Sequence, residues 1–330
     1  QMCIRDSLGA TGPALLPENL RRLKEAKAID VIANGRAATQ MPAFAETLNA
    51  EQIARLVEFI YSPVVPMPEW GEAEIQASHV VYPSRIVTEA PTFDADPLNL
   101  FVVVDLGDHH ISLLDGDRLE VIHRFPPRFA LHGGPKFSPD GRFVYLGSRD
   151  GWVSKYDLYT LTLVAETRAG INMRNIAVSS DGRYVLAANY LPHSVVLLDG
   201  ATLNLLEVIP VVGLDGESSR VSAVYDAAPR QSFVVALKDI AEVWELTYGD
   251  HGLVGDEGSQ ASSPDTLHRL PRRRLTLDGI LDDFFFDVDY RWIIGAARDG
   301  GGQVVEIDSG TKVADLALEG LPHLGSGISW

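Results

Sequence analysis

Apolar positions in the first 62 residues follow the three- and four-residue spacing of amphipathic helices. Pro17, a residue type favoured in the first turn of a helix, predicts the start of a first helix. Asn49 and Gln52 have the spacing of a capping box and predict the start of a second. The apolar faces of the two helices are Leu16, Leu20 and Leu23, and Ile53, Leu56, Val57 and Ile60. Two helices of this length bury too little apolar surface to form a stable domain alone.

The pattern changes after residue 62. Pro63, Pro66 and Pro68 suit an extended spacer between domains. From about Leu98 onward, short runs of β-branched and other apolar residues alternate with Asp-Gly turns, and no long helical period occurs. This larger part of the chain is therefore predicted to consist of short β-strands.

The strand-rich region contains an internal repeat. The segment Ser138–Tyr145 reads SPDGRFVY, and Ser179–Leu186, which begins 41 residues later, reads SSDGRYVL. Weaker copies begin near Asn99, Arg230 and Asp289. A period of roughly 40–45 residues with four short strands in each unit is typical of the blades of a β-propeller. A β-sandwich with unrelated Asp-Gly turns is the alternative, and the repeat favours the propeller.

Residues 98–330 are enough for about five blades. The chain ends in Ser329-Trp330, which reads as the beginning of a strand, and Gln1–Ser7 reads as neither a natural start nor a signal peptide. We therefore expect a piece of a longer protein that carries an incomplete, larger ring. A closed ring of five blades is the alternative.

Charge and cysteine content exclude several classes of function. The chain has 28 Lys and Arg against 45 Asp and Glu, so its net charge of −17 argues against general electrostatic binding of nucleic acid or anionic lipid. One cysteine, Cys3, cannot form an internal disulfide, a multi-cysteine zinc site or the C-x-x-C-H attachment of a c-type haem. No apolar run is long enough for a transmembrane helix, and no P-loop, dinucleotide fingerprint or nucleophile elbow occurs.

Three residues are candidate ligands to haem iron. Met41 lies in the segment Met-Pro-Ala-Phe before the second helix, although methionine is more often a core residue. His132 and His323 lie beside glycines at predicted blade junctions, where a large flat ligand can approach the backbone closely. For any single histidine, a surface or hydrogen-bonded role is the more common one. No pair of histidines has the spacing of a zinc site.

Arginines recur near predicted strand ends, at Arg149, Arg174, Arg220 and Arg230. A guanidinium binds a carboxylate through paired hydrogen bonds, so this recurrence in an acidic chain indicates a ligand with several negative charges. Scattered surface charge is the alternative, and for one arginine alone it is the better one. Two other charge runs are interpreted as structural, Arg272–Arg274 as a solvated loop and Asp282–Asp283 as a turn.

The order of these segments resembles the cytochrome cd1 nitrite reductase family. The order along this chain is G-x-x-G-P at Gly9, M-P-x-F at Met41, a proline linker, and then a predicted propeller with His132 and His323. The likeness covers nearly the whole chain from Gly9. In the propeller region it rests on residues 128–138, 148–151, 170–174, 220–224 and 321–323.

The resemblance implies a mainly β fold, in which a partial eight-bladed β-propeller, the haem d1 domain, follows the C-terminal part of an all-α class I cytochrome c domain. The implied division is a partial cytochrome c domain at 1–62, a proline-rich linker and lead-in segment at 63–97, and an incomplete haem d1 propeller at 98–330. In this family a C-x-x-C-H motif precedes the Gly-Pro segment. It is absent here, so haem c is expected only in the intact protein.

The resemblance also implies roles for single residues. His132 is similar to the proximal iron ligand of haem d1, and His323 to a distal-pocket histidine that is a candidate iron ligand or catalytic base. Met41 is similar to the axial ligand of haem c. The residues similar to arginines that line the site of the haem d1 carboxylates are Arg149, Arg174 and Arg220. Which histidine binds iron in this branch stays open.

One departure indicates the branch of the family. By our placement, Asp282 stands where the reductases carry a second distal histidine, and distal donors protonate nitrite oxygen as the N–O bond breaks. Residues 96–110 and 281–287 also resemble the paralogous branch that oxidises dihydro-haem d1 to haem d1 and passes the electrons to haem c.

We therefore predict a haem-dependent oxidoreductase of the periplasmic denitrification system, inactive as this fragment alone. Nitrite reduction to nitric oxide at haem d1 iron and a non-catalytic haem d1 carrier are the alternatives. The expected partner is a small redox protein, or a nitrite reductase that accepts haem d1.

Overall fold

The computed structural model describes residues 8–9, 12–83, 88–249, 269–297 and 300–319. Its helices are α1 (Pro17–Leu20), α2 (Glu25–Asn34), α3 (Ala50–Tyr61) and α4 (Glu72–Ser78). The predicted capping box is confirmed, because Asn49 Oδ1 accepts from Gln52 N and Gln52 Oε1 accepts from Asn49 N, both at 2.9 Å. None of the described helices is long and apolar enough to cross a membrane.

The first predicted helix is shorter than its apolar face suggested. It begins at Pro17 as expected but ends at Leu20, and Leu23 lies in the turn before α2. The pattern indicated neither α2 as a separate helix nor α4, which follows the three prolines. One helical turn contributes few backbone hydrogen bonds, so packing rather than propensity sets where these helices end.

The helical segment has its own small apolar core. Ala28 and Ile32 of α2 pack with Ile53 and Val57 of α3, and all four are buried. Gly35 ends α2 with a φ of +70°, and a Cβ there would lie 2.7 Å from the carbonyl oxygen of Met41. Only glycine fits this position, because both its backbone angle and its close neighbour exclude a side chain.

The remaining elements are mainly antiparallel strands. The first eight are β1 (Val80–Val81), β2 (Leu100–Asp105), β3 (His110–Asp115), β4 (Glu120–Phe125), β5 (Lys136–Phe137), β6 (Phe143–Gly147), β7 (Trp152–Asp157) and β8 (Thr162–Arg168). They form a three-stranded sheet in the order β2-β3-β4 and a five-stranded sheet in the order β1-β8-β7-β6-β5. Apolar residues of β3, β6 and β7 build a shared core, among them Ile111, Val144 and Tyr156.

The later strands form three four-stranded sheets. They are β9 (Asn172–Val178), β10 (Tyr184–Leu191), β11 (Ser194–Asp199), β12 (Leu205–Pro210), β13 (Val221–Ala227), β14 (Ser232–Leu237), β15 (Glu242–Thr247), β16 (Arg272–Thr276), β17 (Asp283–Phe286), β18 (Trp292–Ala296), β19 (Gly302–Glu306) and β20 (Thr311–Leu316). Each sheet pairs its strands in sequence order. The chain divides into two compact units, residues 1–173 and 174–330.

These meanders confirm the mainly β fold with propeller blades, and the repeated sequence forms the same turn twice. Gly141 and Gly182 have φ angles of +71° and +72°. Before each glycine, a serine hydroxyl accepts the N–H of the residue that begins the next strand, at 2.9 Å in both copies. The 41-residue echo therefore marks two equivalent positions in successive sheets.

The interpretation of Arg272–Arg274 as a solvated loop is wrong, and that of Asp282–Asp283 as a turn is wrong for Asp283, whereas Asp282 lies in a bend. Arg272–Arg274 lie in β16, and Arg273 is 4% exposed because alternate side chains of a strand point to opposite faces. Its guanidinium donates to Glu245 at 2.6 Å, while those of Arg272 and Arg274 lie 4.3 and 4.9 Å from the ring centroid of Trp244. Asp283 begins β17 rather than a turn.

Candidate functional site

In three successive sheets, the same end of the meander carries polar side chains, four of which the sequence singled out. In an antiparallel meander, the start of the first strand and the turn between the second and third strands lie at the same end of the sheet. The side chains at this end, taken sheet by sheet, are His132 and Arg149; Arg174 and Tyr190; and Arg220, Lys238 and Asp239. The repeat therefore explains why these residues are far apart in sequence but equivalent in position.

His132 and Arg149 are brought together by backbone pairing. The N–H of His132 donates to Gly147 O, and the N–H of Arg149 donates to Ala130 O, both at 2.9 Å. His132 therefore lies beside the turn that carries Arg149. Both side chains are half-buried.

His132 lines an open cavity of about 280 Å³. The other lining residues are Val104, Leu106, Leu131, Gly133, Gly134, Pro135, Leu146 and Gly147. None of them carries a charge, and the imidazole is the one polar side chain of the set. Gly133 and Gly134 have φ angles of +87° and +70°, so the backbone next to the imidazole has no Cβ in the way. An apolar wall with a single imidazole fits the face and the iron of a haem-like macrocycle.

Arg174 and Arg220 share one aromatic ring. Their guanidinium carbons lie 5.5 and 5.1 Å from the ring centroid of Tyr190, within the range of cation–π contacts. Two positive groups on one ring suit a ligand with two carboxylates. Tyr190 is a site residue that the sequence analysis missed; its position at the end of β10 was the available signal.

Arg220 is held by Asp239. The Arg220 Nε donates to Asp239 Oδ2 at 2.9 Å, and Nη2 donates to Oδ1 at 2.5 Å. Burial opposes the charge on Asp239, but the hydrogen bonds and charge of Arg220 outweigh it and keep the pKa of Asp239 below its usual value of 3.8. The same hydrogen bonds raise the pKa of Arg220. Both groups are therefore charged at neutral pH.

Met41 lies against the helical core. Its side chain packs on the cluster formed by α2 and α3, and its carbonyl oxygen accepts from Arg36 N at 3.0 Å. Met41 therefore packs as a core residue, which the sequence analysis gave as the alternative to an iron ligand. Its role as an iron ligand stays a prediction. With one cysteine and no C-x-x-C-H, the residues of this chain do not fit a covalently attached haem c.

The loop before Met41 contacts the wall of the His132 cavity. Gln40 Nε2 donates to Gly107 O at 2.8 Å, and a Cβ added at Gly107 would lie 3.8 Å from Ala38 Cα. Leu106, the neighbour of Gly107, lines the cavity. The sequence offered no signal for this contact, because it joins two loops that are 67 positions apart.

Two other predicted positions do not contribute to the described site. His323 lies outside the described residues, so its predicted roles stay predictions. Arg230 donates to Glu245 at 2.8 Å and pairs with Asp308, an arrangement that ties strands together. Among the described residues, no group of three or more His, Cys, Asp or Glu side chains is placed to hold a metal ion.

Comparison with known proteins matches residues 95–330 to the Cytochrome D1 heme domain. A dihydro-heme d1 dehydrogenase of Pseudomonas aeruginosa is 54% identical over 325 residues, which is 98% of this chain and 63% of that protein. The structure of dihydro-heme d1 dehydrogenase NirN in complex with DHE has a TM-score of 0.83 with 54% identity, and the match covers 98% of this chain and 66% of that one.

Two further proteins are similar at lower identity or over a shorter stretch. The nitrite reductase of Stutzerimonas stutzeri is 25% identical over 302 residues, 86% of this chain and 50% of that protein. Protein NirF of Pseudomonas aeruginosa is 35% identical over 157 residues, 46% of this chain and 40% of that protein. The chain spans just under two thirds of the length of the dehydrogenase it matches. The resemblance drawn from the sequence is thereby confirmed, and the chain belongs to the cytochrome D1 heme domain family.

Proposed function

We propose that the intact protein oxidises dihydro-haem d1 to haem d1, with haem d1 as the group its propeller domain binds. The observation that carries the proposal is 54% identity along 98% of the chain to a dihydro-heme d1 dehydrogenase. The apolar cavity with a half-buried imidazole at His132 supports the same ligand class. A periplasmic location, and a small redox protein or a nitrite reductase as partner, are part of this proposal.

The residues of this chain bind and orient the macrocycle. His132 is the candidate iron ligand, and the apolar residues around it would exclude water from a macrocycle bound there. Arg149, Arg174 and Arg220 are the candidate partners of its carboxylates, with Tyr190 under two of the guanidiniums. When bound, the iron macrocycle supplies the electron chemistry, while the protein supplies position and a proton acceptor.

The proposed reaction converts a propionate side chain into an acrylate. One hydrogen leaves each of two adjacent carbons, so two electrons and two protons are released as the C=C bond forms. In the intact protein, these electrons would pass one at a time to haem c and from there to an external acceptor. His323 is the proposed acceptor of one of the two protons, and the other would pass to solvent.

The test is to mix dihydro-haem d1 under anaerobic conditions with at least two equivalents of the oxidised intact protein, because each haem c accepts one electron. We expect the tetrapyrrole to lose two hydrogen atoms by mass spectrometry while the absorbance of reduced haem c rises. Binding without this mass change would replace the proposal with a carrier. Nitric oxide formation from nitrite, without the mass change, would replace it with nitrite reduction.

Asp282 supports the choice of the dehydrogenase over the reductase. By our placement from the resemblance it stands where the reductases carry a second distal histidine, and its buried carboxylate forms an ion pair with Lys238. A carboxylate held by a lysine is a weak proton donor to nitrite oxygen. This arrangement favours the dehydrogenase over the reductase.

Replacing His132 with alanine should weaken binding of dihydro-haem d1 by about tenfold or more and change its absorption spectrum, because an iron ligand is lost. An optical titration measures both. The matched control is His123→Ala, which removes a half-buried imidazole of β4 that does not line the cavity. An unchanged spectrum and affinity in His132→Ala would show that another residue binds the iron.

A further inference from the structure

Two adjacent residues in the β14–β15 turn form ion pairs with residues of two successive sheets. Each partner directly precedes the first strand of its sheet. Asp239 pairs with Arg220, which precedes β13. Lys238 pairs with Asp282, which precedes β17. A single turn therefore ties down the starts of two neighbouring sheets in the unit formed by residues 174–330.

The pair between Asp239 and Arg220 is built from several hydrogen bonds. Besides the contacts of the guanidinium, the backbone N–H of Arg220 donates to Asp239 Oδ2 at 3.0 Å. The N–H of Asp239 in turn donates to Ser219 Oγ at 3.0 Å. Asp239 accepts hydrogen bonds from Nε and Nη2 on one edge of the Arg220 guanidinium. A ligand carboxylate would therefore be recognised at the other edge, by Nη1 and Nη2.

The pair between Lys238 and Asp282 is buried. Their side chains are 5% and 8% exposed. The backbone of Lys238 is also joined to Arg220, because its N–H donates to Arg220 O at 2.8 Å. The N–H of Asp282 donates to Ala296 O at 2.9 Å. Lys238 is therefore fixed at both its backbone and its side chain, directly beside Arg220.

Stability does not explain this buried pair. Removing two charges from water costs several kcal/mol per ion, and apolar residues of similar volume are often as stabilising or more so. Leu237 and Val243, which lie close to Lys238 in sequence on β14 and β15, are completely buried. An apolar pair would therefore suit this site at least as well for folding alone.

We propose that Lys238, Asp239 and Asp282 are positioning residues for ligand recognition by Arg220. The pair of Lys238 with Asp282 anchors the β14–β15 turn, and Asp239 holds the guanidinium in one orientation. Arg220 is thereby preorganised for a ligand carboxylate, since a fixed fork loses less freedom on binding. This inference rests on the proposed function and names Arg220 as the group that the turn serves.

The experiment measures affinity for dihydro-haem d1 by optical titration of the intact protein, together with the thermal midpoint. The wild type is measured first. Failure of the wild type to bind removes the proposed function and this inference together. If it binds, the double variant Lys238→Met/Asp282→Leu should keep the thermal midpoint and bind about tenfold more weakly.

A double-mutant cycle with Arg220→Met separates positioning from a structural role. If the buried pair acts through Arg220, Lys238→Met/Asp282→Leu has no further effect once Arg220 is methionine. The inference is overturned if the double variant loses the same affinity whether residue 220 is arginine or methionine. It is also overturned if the double variant binds normally while Arg220 is present, or if Arg220→Met alone binds normally.

Two further variants complete the design. Asp239→Asn should weaken binding in the same non-additive way, and Asp239→Glu should restore part of the affinity. Asp239 is about one third exposed, so these variants provide the test if the buried double variant does not fold. The matched control is Lys312→Met/Asp315→Leu, which removes a surface Lys–Asp pair of the same unit and should leave the affinity unchanged.

Discussion

Replacing Arg273 with methionine should lower the free energy of unfolding by about 3 kcal/mol, because it removes one of the two guanidiniums that pair with the buried Glu245 carboxylate. Glu245 accepts from Arg273 at 2.6 Å and from Arg230 at 2.8 Å, and the side chains of Glu245 and Arg273 are 4% and 3% exposed. Arg273 also donates to Ile307 O at 2.7 Å. Denaturant-induced unfolding followed by tryptophan fluorescence measures the loss.

The control is an exposed Arg–Glu pair in the same unit. Arg291 donates to Glu306 at 2.6 Å, but its side chain is 61% exposed. Solvent-exposed pairs contribute little, so Arg291→Met should not change the unfolding midpoint measurably. Equal losses in the two variants would contradict the importance of burial.

The same cluster predicts a dependence on pH. Burial opposes ionisation of Glu245, but hydrogen bonds and charges from Arg230 and Arg273 outweigh it and hold the pKa of its carboxyl below the usual 4.5. Its contribution to stability is complete above pH 4.5 and is lost as the pH falls through the depressed folded-state pKa. Because Arg273→Met weakens this depression, acid unfolding of the variant should begin at a higher pH than that of the wild type.

Replacing Gly151 with alanine should also destabilise the protein by about 3 kcal/mol, the sum of backbone strain and steric overlap. Gly151 lies in the turn that carries Arg149 and has a φ of +93°. A Cβ there would lie 1.8 Å from the carbonyl oxygen of Gly170, so the backbone must move. Denaturant unfolding measures the loss of stability.

Gly141→Ala is the control that isolates the overlap. Gly141 also has a positive φ, of +71°, but its added Cβ would meet no atom within 4 Å. It should lose only the cost of the left-handed backbone, about 1 kcal/mol. If both variants lost the same amount, strain alone would account for Gly151.

Much of the fold was readable from the chain because local rules and packing agree there. The Asp-Gly turns at Gly141 and Gly182 and the capping box of α3 each involve neighbours in sequence, and each was predicted. The start of α1 at Pro17 was also predicted, but its end was not. A short helix ends where its packing partners end, and a single sequence does not reveal those partners.

The candidate site was predicted in part. His132 and Arg149 were chosen as candidates by residue type. The structure brings their backbones together, and their roles stay predictions. Arg273 was misread, because three successive arginines look solvated until a strand turns alternate side chains inward. The partners Asp239 and Lys238 had no signal at all, since their pairs with Arg220 and Asp282 join positions 19 or more residues apart.

The contact between the Met41 loop and the wall of the His132 cavity has a consequence for solution conditions. It is formed by the hydrogen bond from the Gln40 amide to the Gly107 carbonyl, and neither group carries a charge. Dissolved ions screen interactions between charges over a Debye length of roughly 10 Å at 0.1 M ionic strength, but they leave a neutral hydrogen bond almost untouched. In an acidic protein of net charge −17, this junction should therefore stay closed in dilute buffer and in concentrated salt alike.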